Sequence, residues 1–314
     1  MGLAIKGKKV IGLALNGKKI LGEAKNGKVI WKSSIDSKPW KFTADNLVRS
    51  VAVDSSGNVY AGTDGNSVYK LDASGNQVWK YPAGSSVDSV AVDSSGNVYA
   101  GTNGFVYKLD ASGKQAWKFT AGSSVFSVAV DSSGNVYAGT NGYYGGSVYK
   151  LDASGKQVWK YPAGSSVFSV AVDSSGNVYA GTNNASIYKL NTSGNQVWQF
   201  TADDGVNSVA VDSSGNVYAG TNNNSVYKLD ASGNQAWQFT ADNPVNSVAV
   251  DSSGNVYAGT NNASIYKLNT SGNQVWQFTA DNPVFSVAVD SSGNVYAGTD
   301  GSFVYKLATR PKRP

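Results

Sequence analysis

From Trp40 onward the apolar residues fall in runs of four or five, dense in Val, Tyr and Trp, and each run ends at a cluster of Asp, Ser, Gly and Asn. The stretch that begins at Ser208 reads SVAV, DSSGN, VYAGT, NNN, SVYKL, DASGN, QAWQF, TADNP. β-Branched and aromatic runs of this length, punctuated by turn residues and without a helical period, predict four short antiparallel strands. The text then repeats. SVAVDSSGNVYAGT starts at Ser50 and recurs unchanged at Ser89, Ser127, Ser169, Ser208, Ser247 and Ser286. The aspartates of its DSSGN turn (Asp54, Asp93, Asp131, Asp173, Asp212, Asp251, Asp290) are spaced 39, 38, 42, 39, 39 and 39 residues apart. Such a period, with four strands per unit, fits a solenoid or a radial propeller.

The ends of the chain decide between the two. Six units finish on a Trp strand, at Trp79, Trp117, Trp159, Trp198, Trp237 and Trp276, whereas the seventh stops at FVYKLATRPKRP with none. The matching strand stands at the other end, where PWKFTADN precedes the first full unit and has the form of QVWQFTADN. An N-terminal strand that completes the last blade closes a ring. The expected fold is therefore all-β, a seven-bladed β-propeller of four-stranded blades over residues 36–309. Each blade of such a ring packs on two neighbours, and a Trp such as Trp198 is expected in that packing rather than at a ligand.

Residues 1–35 are a different text: LAIKGKKVIG, LALNGKKILG, EAKNGKVIWK. Lys6-Gly7, Asn16-Gly17 and Asn26-Gly27 stand ten residues apart between apolar stretches, the pattern of a small four-stranded β-meander with two-residue turns. Its lysines keep strand edges soluble on one reading; on the other the meander is an attachment module for a structural partner. Residues 310–314 form a basic tail.

The stretch GNVYAGTNNNSVYKLDASGNQAWQF resembles the repeat of PQQ-like β-propellers: a strand, a Gly turn, a Tyr-containing strand, Asp-x-x-Gly and a Trp strand. SVAVDSSGNVYAGT is also similar to NHL-type propeller repeats, in which a Val-Ala-Val-Asp strand leads into a Gly-Asn turn. The likeness covers about residues 38–307 and implies the fold; for function it implies little, because propellers host many activities. The N-terminal 35 residues resemble segments of bacteriophage tail proteins. The enzymatic relatives among PQQ-like propellers, the quinoprotein dehydrogenases, hold calcium with Glu, Asn and Asp, use a catalytic Asp and often vicinal cysteines, and have eight blades. This chain has seven units, and its repeats contain neither cysteine nor glutamate, so no enzyme, no catalytic residue and no cofactor is expected.

Composition narrows the chemistry further. Cysteine and histidine are absent and Glu23 is the only glutamate, which excludes disulfides, Ser-His-Asp triads, His-bearing zinc sites and Glu-based acid–base pairs. The net charge of +5 divides unevenly: residues 1–35 carry +7, residues 36–309 carry −5 and the tail carries +3. A mildly acidic repeat body is a poor phosphate-tracking surface, so no nucleic-acid partner is expected. Lysines interrupt each apolar run of the N-terminus, so neither a signal peptide nor membrane insertion is expected, and localisation is left open. DSSGN offers one carboxylate per loop where a calcium loop needs several. It is expected to be an Asx-type hairpin turn, with no metal and with Gly and Asn at positive φ. The sequons at Asn184, Asn191, Asn223, Asn262 and Asn269 read as turn residues.

What is not copied carries the functional expectation. With SVAV innermost and the Trp strand outermost, the invariant DSSGN and DASGN turns lie on one face of the disc. The connections AGSSVD, ADNPVF, TNGYYGGS and their counterparts lie on the other. Arg49, Asp88, Phe126, Phe168, Asn207, Asn246 and Phe285 occupy one position in the seven units and are expected to ring the mouth of the central channel, with Phe105, Tyr143 and Tyr144 nearby on the same variable face. Loops that drift without selection would look the same. Two functions fit. One is a non-catalytic module that presents this face to a cell-surface glycan or protein receptor, on a phage tail or similar particle with residues 1–35 as its mount. The other is a protein–protein scaffold, as in bacterial outer-membrane assembly. A consensus-engineered ring would have the same copies.

Overall fold

A computed structural model describes residues 4–5, 8–15, 18–25, 28–32, 39–142 and 145–307. The chain divides into two compact units, Met1–Lys38 and Pro39–Pro314. In the first, β1 (Ala4–Ile5), β2 (Lys8–Leu15), β3 (Lys18–Lys25) and β4 (Lys28–Lys32) form an antiparallel sheet in chain order, with Val10 opposite Glu23 and Leu21 opposite Lys32. The three expected turn dipeptides lie outside the described residues.

The second unit opens with β5 (Trp40–Thr43) and then builds blade 1 from β6 (Val48–Val53), β7 (Val59–Thr63), β8 (Ser67–Leu71) and β9 (Gln77–Pro82), paired in that order. Five further blades repeat this antiparallel plan. Blade 7 has Val284–Val289, Val295–Thr299 and Phe303–Leu307, and its fourth strand is β5: Phe303 pairs with Thr43 and Lys306 with Trp40. The ring closes as the sequence implies. The first strand of each blade lies beside the first strands of both neighbours, blade 7 beside blade 1 included, and is therefore innermost. The fourth strands alternate exposed and half-buried positions and form the rim.

The core lies between blades rather than within them. Tyr60, fully buried in β7, packs among Val87, Val90, Val98, Ala100 and Leu109 of blade 2. At the closure, Tyr296 packs in the same way on Val48, Val51, Ala61 and Leu71 of blade 1. The glycine of VYAGT makes this approach possible: a Cβ on Gly101 would sit 2.8 Å from both Cγ1 and the carbonyl oxygen of Val125 in blade 3.

Two further contacts cross each boundary. Ser50 Oγ accepts the Val90 N–H at 3.0 Å, the same bond recurs at each later boundary, and Ser286 Oγ accepts the Val51 N–H to complete the circle. At the rim, Trp79 Nε1 donates to Ala111 O at 3.2 Å, and its indole lies flat on Gly113. Trp40 does the same to Ala73 O at 3.1 Å and to Gly75, which also needs glycine for its φ of +87°. Trp198 packs beside Tyr179 and donates to Ala231 O, so these tryptophans serve the inter-blade packing.

The DSSGN turns are Asx-type hairpins. Asp54 Oδ1 accepts the Ser56 and Asn58 amides, and Oδ2 accepts Asn58 Nδ2 and Tyr60 OH. Gly57 takes a φ of +81°, but the expectation of a positive φ at Asn58 is corrected: its backbone stays outside that region, and its side chain is used to hold the aspartate. Six of these aspartates (Asp54, Asp93, Asp131, Asp173, Asp212, Asp251) are pulled upward in pKa by burial. The bonds they accept outweigh burial and hold them below the usual carboxylate range. Burial first, then the adjacent carboxylate charge and hydrogen bond, pushes the tyrosine hydroxyls the other way, well above their ordinary value.

Two predictions follow from this packing. Trp40→Ala removes the outer contact of the closing strand and should destabilise the ring by about 3 kcal/mol, the usual scale for a large aromatic deletion; unchanged denaturant midpoints would show that β5 is not the closing strand. For pH, depressed carboxylate values stabilise the fold above about pH 4, and that contribution is lost as pH falls through the folded values. Raised tyrosine values stabilise it below about pH 10, and that contribution is lost as pH rises beyond it. Melting temperature against pH should show a plateau with a fall at each end, and Asp131→Asn should flatten the acid limb.

Candidate functional site

Strand register assigns the two faces. In blade 1, Val53 pairs with Val59 and Leu71 with Gln77, so the DSSGN and DASGN turns share one edge of the blade. Val48 pairs with Thr63 and Ser67 with Pro82, so the Thr63–Ser67 loop and the link to blade 2 share the other. On that variable edge each innermost strand is irregular. Val48 faces Thr63 and Ser50 faces Gly62, which leaves Arg49 without an opposite residue. The same shift falls at Asp88, Phe126, Phe168, Asn207, Asn246 and Phe285. A bulged residue is re-aimed out of the ladder, and all seven uncopied positions are such residues.

Their side chains are half-buried, and two neighbouring pairs of them are in contact. The Arg49 guanidinium binds Asp64 through two bonds, Nε to Oδ1 at 2.9 Å and Nη2 to Oδ2 at 2.6 Å, and lies 5.0 Å from the centre of the Phe285 ring across the closure. Phe126 and Phe168 are 5.7 Å apart and tilted by 55°. Asn207 Nδ2 donates to Asn222 Oδ1 at 2.8 Å and to Val245 O at 3.2 Å, and Asn246 Nδ2 donates to Val284 O at 3.0 Å. Asp88 accepts a 3.3 Å bond from Ser86 Oγ. The Asp64 hydrogen bond holds the Arg49 guanidinium in its charged form, and Arg49 in turn keeps the Asp64 carboxyl below the usual range. Burial dominates at Asp88 and pushes its carboxyl up, against the Ser86 bond and the Arg49 charge.

Phe105 stands apart from this ring. It begins the third strand of blade 2, packed on Tyr107 at 6.1 Å, with Lys118 Nζ 3.4 Å from its ring centre. Tyr143 and Tyr144 lie outside the described residues.

A second set of residues completes the ring and was not singled out from the sequence. The position after VYAGT is Asp64, Asn103, Asn141, Asn183, Asn222, Asn261 or Asp300. Asp64 holds Arg49 and Ser86, Asn222 holds Asn207, and Asn103 and Asn141 accept Ser124 and Ser166. The signal was its restriction to Asp or Asn in seven copies. The opposite face has a feature of its own, a polar groove of about 260 Å³ between blades 6 and 7, lined by Asp251, Ser253, Lys267, Trp276, Ser291 and Gly293 among others. Identical text gave no reason to look there. Among the described residues no group of three or more acidic, His or Cys side chains is placed to hold a metal, and no helix is long and apolar enough to cross a membrane.

The repeat that builds this ring matches a known family model, described as outer membrane protein assembly factor BamB, over residues 19–142, 102–207 and 183–310. The chain belongs to that family. Of the resemblances read from the sequence, the PQQ-like one is therefore met. No curated protein matches the sequence. Among solved structures, the WD40 β-propeller domain of Doa1 aligns with a TM-score of 0.76 over 86% of this chain and 95% of that one, at 16% identity, a likeness of fold alone. A propeller of BamB-type repeats fits a binding or scaffold module.

In this BamB-type ring the uncopied residues should be separable from the fold. Phe126→Ala with Phe168→Ala should lower stability by about 1 kcal/mol, the worth of an aromatic pair. Tyr137→Ala, at a blade boundary, should cost about 4 kcal/mol. Urea midpoints of the two variants measure the contrast.

Proposed function

We propose that the protein is a non-catalytic binding module that docks a protein partner on its variable face, around the mouth of the channel. One observation carries the reading: seven bulged, uncopied side chains converge on one ring, while the turns of the opposite face are nearly uniform. The family's description as an assembly factor favours a protein over a glycan. So does the 55° tilt of Phe126 on Phe168, which makes a notch rather than the flat platform on which a sugar stacks. Residues 1–35 serve as a mount in this proposal, on the strength of their unrelated repeat and their short likeness to phage tail segments.

The test is a hexapeptide library and a glycan array, each probed with the wild-type chain and with a Phe126→Ala, Phe168→Ala, Asn246→Ala variant at a temperature where both are fully folded. Peptides retained by the wild type and lost by the variant support the proposal. Glycans lost by the variant would put a saccharide at the mouth instead, and equal retention by both proteins would move docking off this face.

A further inference from the structure

The ring contains one recognition event made entirely from its own residues. Arg49 of blade 1 lies over Phe285 of blade 7 and is fixed by a two-bond pair with Asp64. A cation, an aromatic face and a carboxylate meet there. Blades 2 to 4 supply the second and third members of such a set at the same ring position: Asp88, then Phe126 and Phe168. Among the described residues no Lys or Arg forms an ion pair with Asp88 or lies over either phenyl ring; Asp88 feels the Arg49 charge only at a distance, because that guanidinium is held by Asp64, and its one hydrogen bond is the long one from Ser86.

We propose, resting on the reading of this face as a docking surface, that the Asp88–Phe126–Phe168 sector receives an arginine side chain of a basic segment in the protein partner. Charge complementarity supports it. Arg49 is neutralised by Asp64, and Asp88 and Asp300 add their fields at the same mouth, so the ring carries more negative than positive charge. The amide nitrogens of Asn207 and Asn246 are spent on Asn222 and the carbonyls of Val245 and Val284. Their Oδ1 atoms accept no bond from the described chain and are left for donors. An acceptor-rich, acidic mouth with aromatic walls selects a cationic donor, and a guanidinium supplies both a charge for the ring faces and a fork for the carboxylate.

The experiment titrates the full chain, labelled with 4-fluorophenylalanine, with the peptide acetyl-Gly-Gly-Arg-Gly-Gly-amide and with its citrulline and glutamate counterparts, read by fluorine NMR. Phe126→Leu and Phe168→Leu assign the two signals. Citrulline keeps the shape of arginine and removes its charge. The Arg peptide should move both signals and bind at least fivefold more tightly than the citrulline peptide, and Asp88→Asn should reduce that preference to less than twofold. Equal shifts with citrulline, a preference for the glutamate peptide, or an unchanged preference in Asp88→Asn would overturn the proposal. The hexapeptide library separates the two levels. Ring-dependent peptides without arginine enrichment overturn this inference and leave the docking surface standing, whereas the absence of any ring-dependent ligand removes both.

Discussion

Tyr60 and its six counterparts belong to the second strands of their own blades, but most of the buried apolar residues packed around each of them belong to the next blade. No blade therefore owns a core. A single unit would expose its tyrosine, its Gly62-type notch and its Trp flank to water, and an open row of units would leave one such surface bare at each end. Closure removes both ends at once. That is why the seventh blade borrows β5 from the start of the unit and why the Tyr296 contact with blade 1 repeats the Tyr60 contact with blade 2. It is also why the text is copied. One face of the repeat has to fit the other face of the same repeat, so a change in Val87 has to be matched at the position of Gly62.

The same constraint explains where copying stops. Val48 is fully buried against Gly298 of blade 7, and Ser50 spends its hydroxyl on the Val90 amide of blade 2. Both flanks of Arg49 are thus tied to neighbouring blades, whereas Arg49 itself is the bulged residue with no opposite partner in the sheet. Sidedness follows: the residue before it faces one boundary, the residue after it reaches across the other, and the bulge turns the residue between them toward the mouth. A position with no ladder partner and no apolar socket is released from the self-fit condition, and it is the one that reads Arg, Asp, Phe, Phe, Asn, Asn and Phe around the ring.

Strands, blade number, closure and the position of the uncopied ring were legible in the sequence because each depends on a pattern repeated seven times. What was hidden depends on single side chains. The pairing of Arg49 with Asp64 joins a strand residue to one fifteen positions on, in the loop after β7, and the bulge at Arg49 turns the guanidinium out of the ladder. Asn58 was expected to serve its turn by a positive φ and instead adds its side-chain amide to the bonds of its backbone, because the aspartate has two oxygens to fill and Gly57 already supplies the left-handed step. Phe105 shares the variable face by connection but sits on a third strand, where Lys118 covers its ring. The groove between blades 6 and 7 was invisible for the opposite reason, since its lining is identical text.

A ring of seven equal residues would present seven equal poses, and a partner could dock in any of them with no preference for one rotation. The framework is that symmetric; the mouth is not. One sector is closed by its own cation (Arg49, Asp64, Phe285), one places an acid and two aromatic rings in successive blades (Asp88, Phe126, Phe168), and one is made of amides whose nitrogens are tied to carbonyls (Asn207, Asn246). Three chemistries in a fixed order around a circle define a single orientation for anything that touches more than one of them. Packing energy held in the boundaries and identity held at the bulges are thereby separated, so the chemistry of the mouth can change at one blade without any blade losing its neighbour.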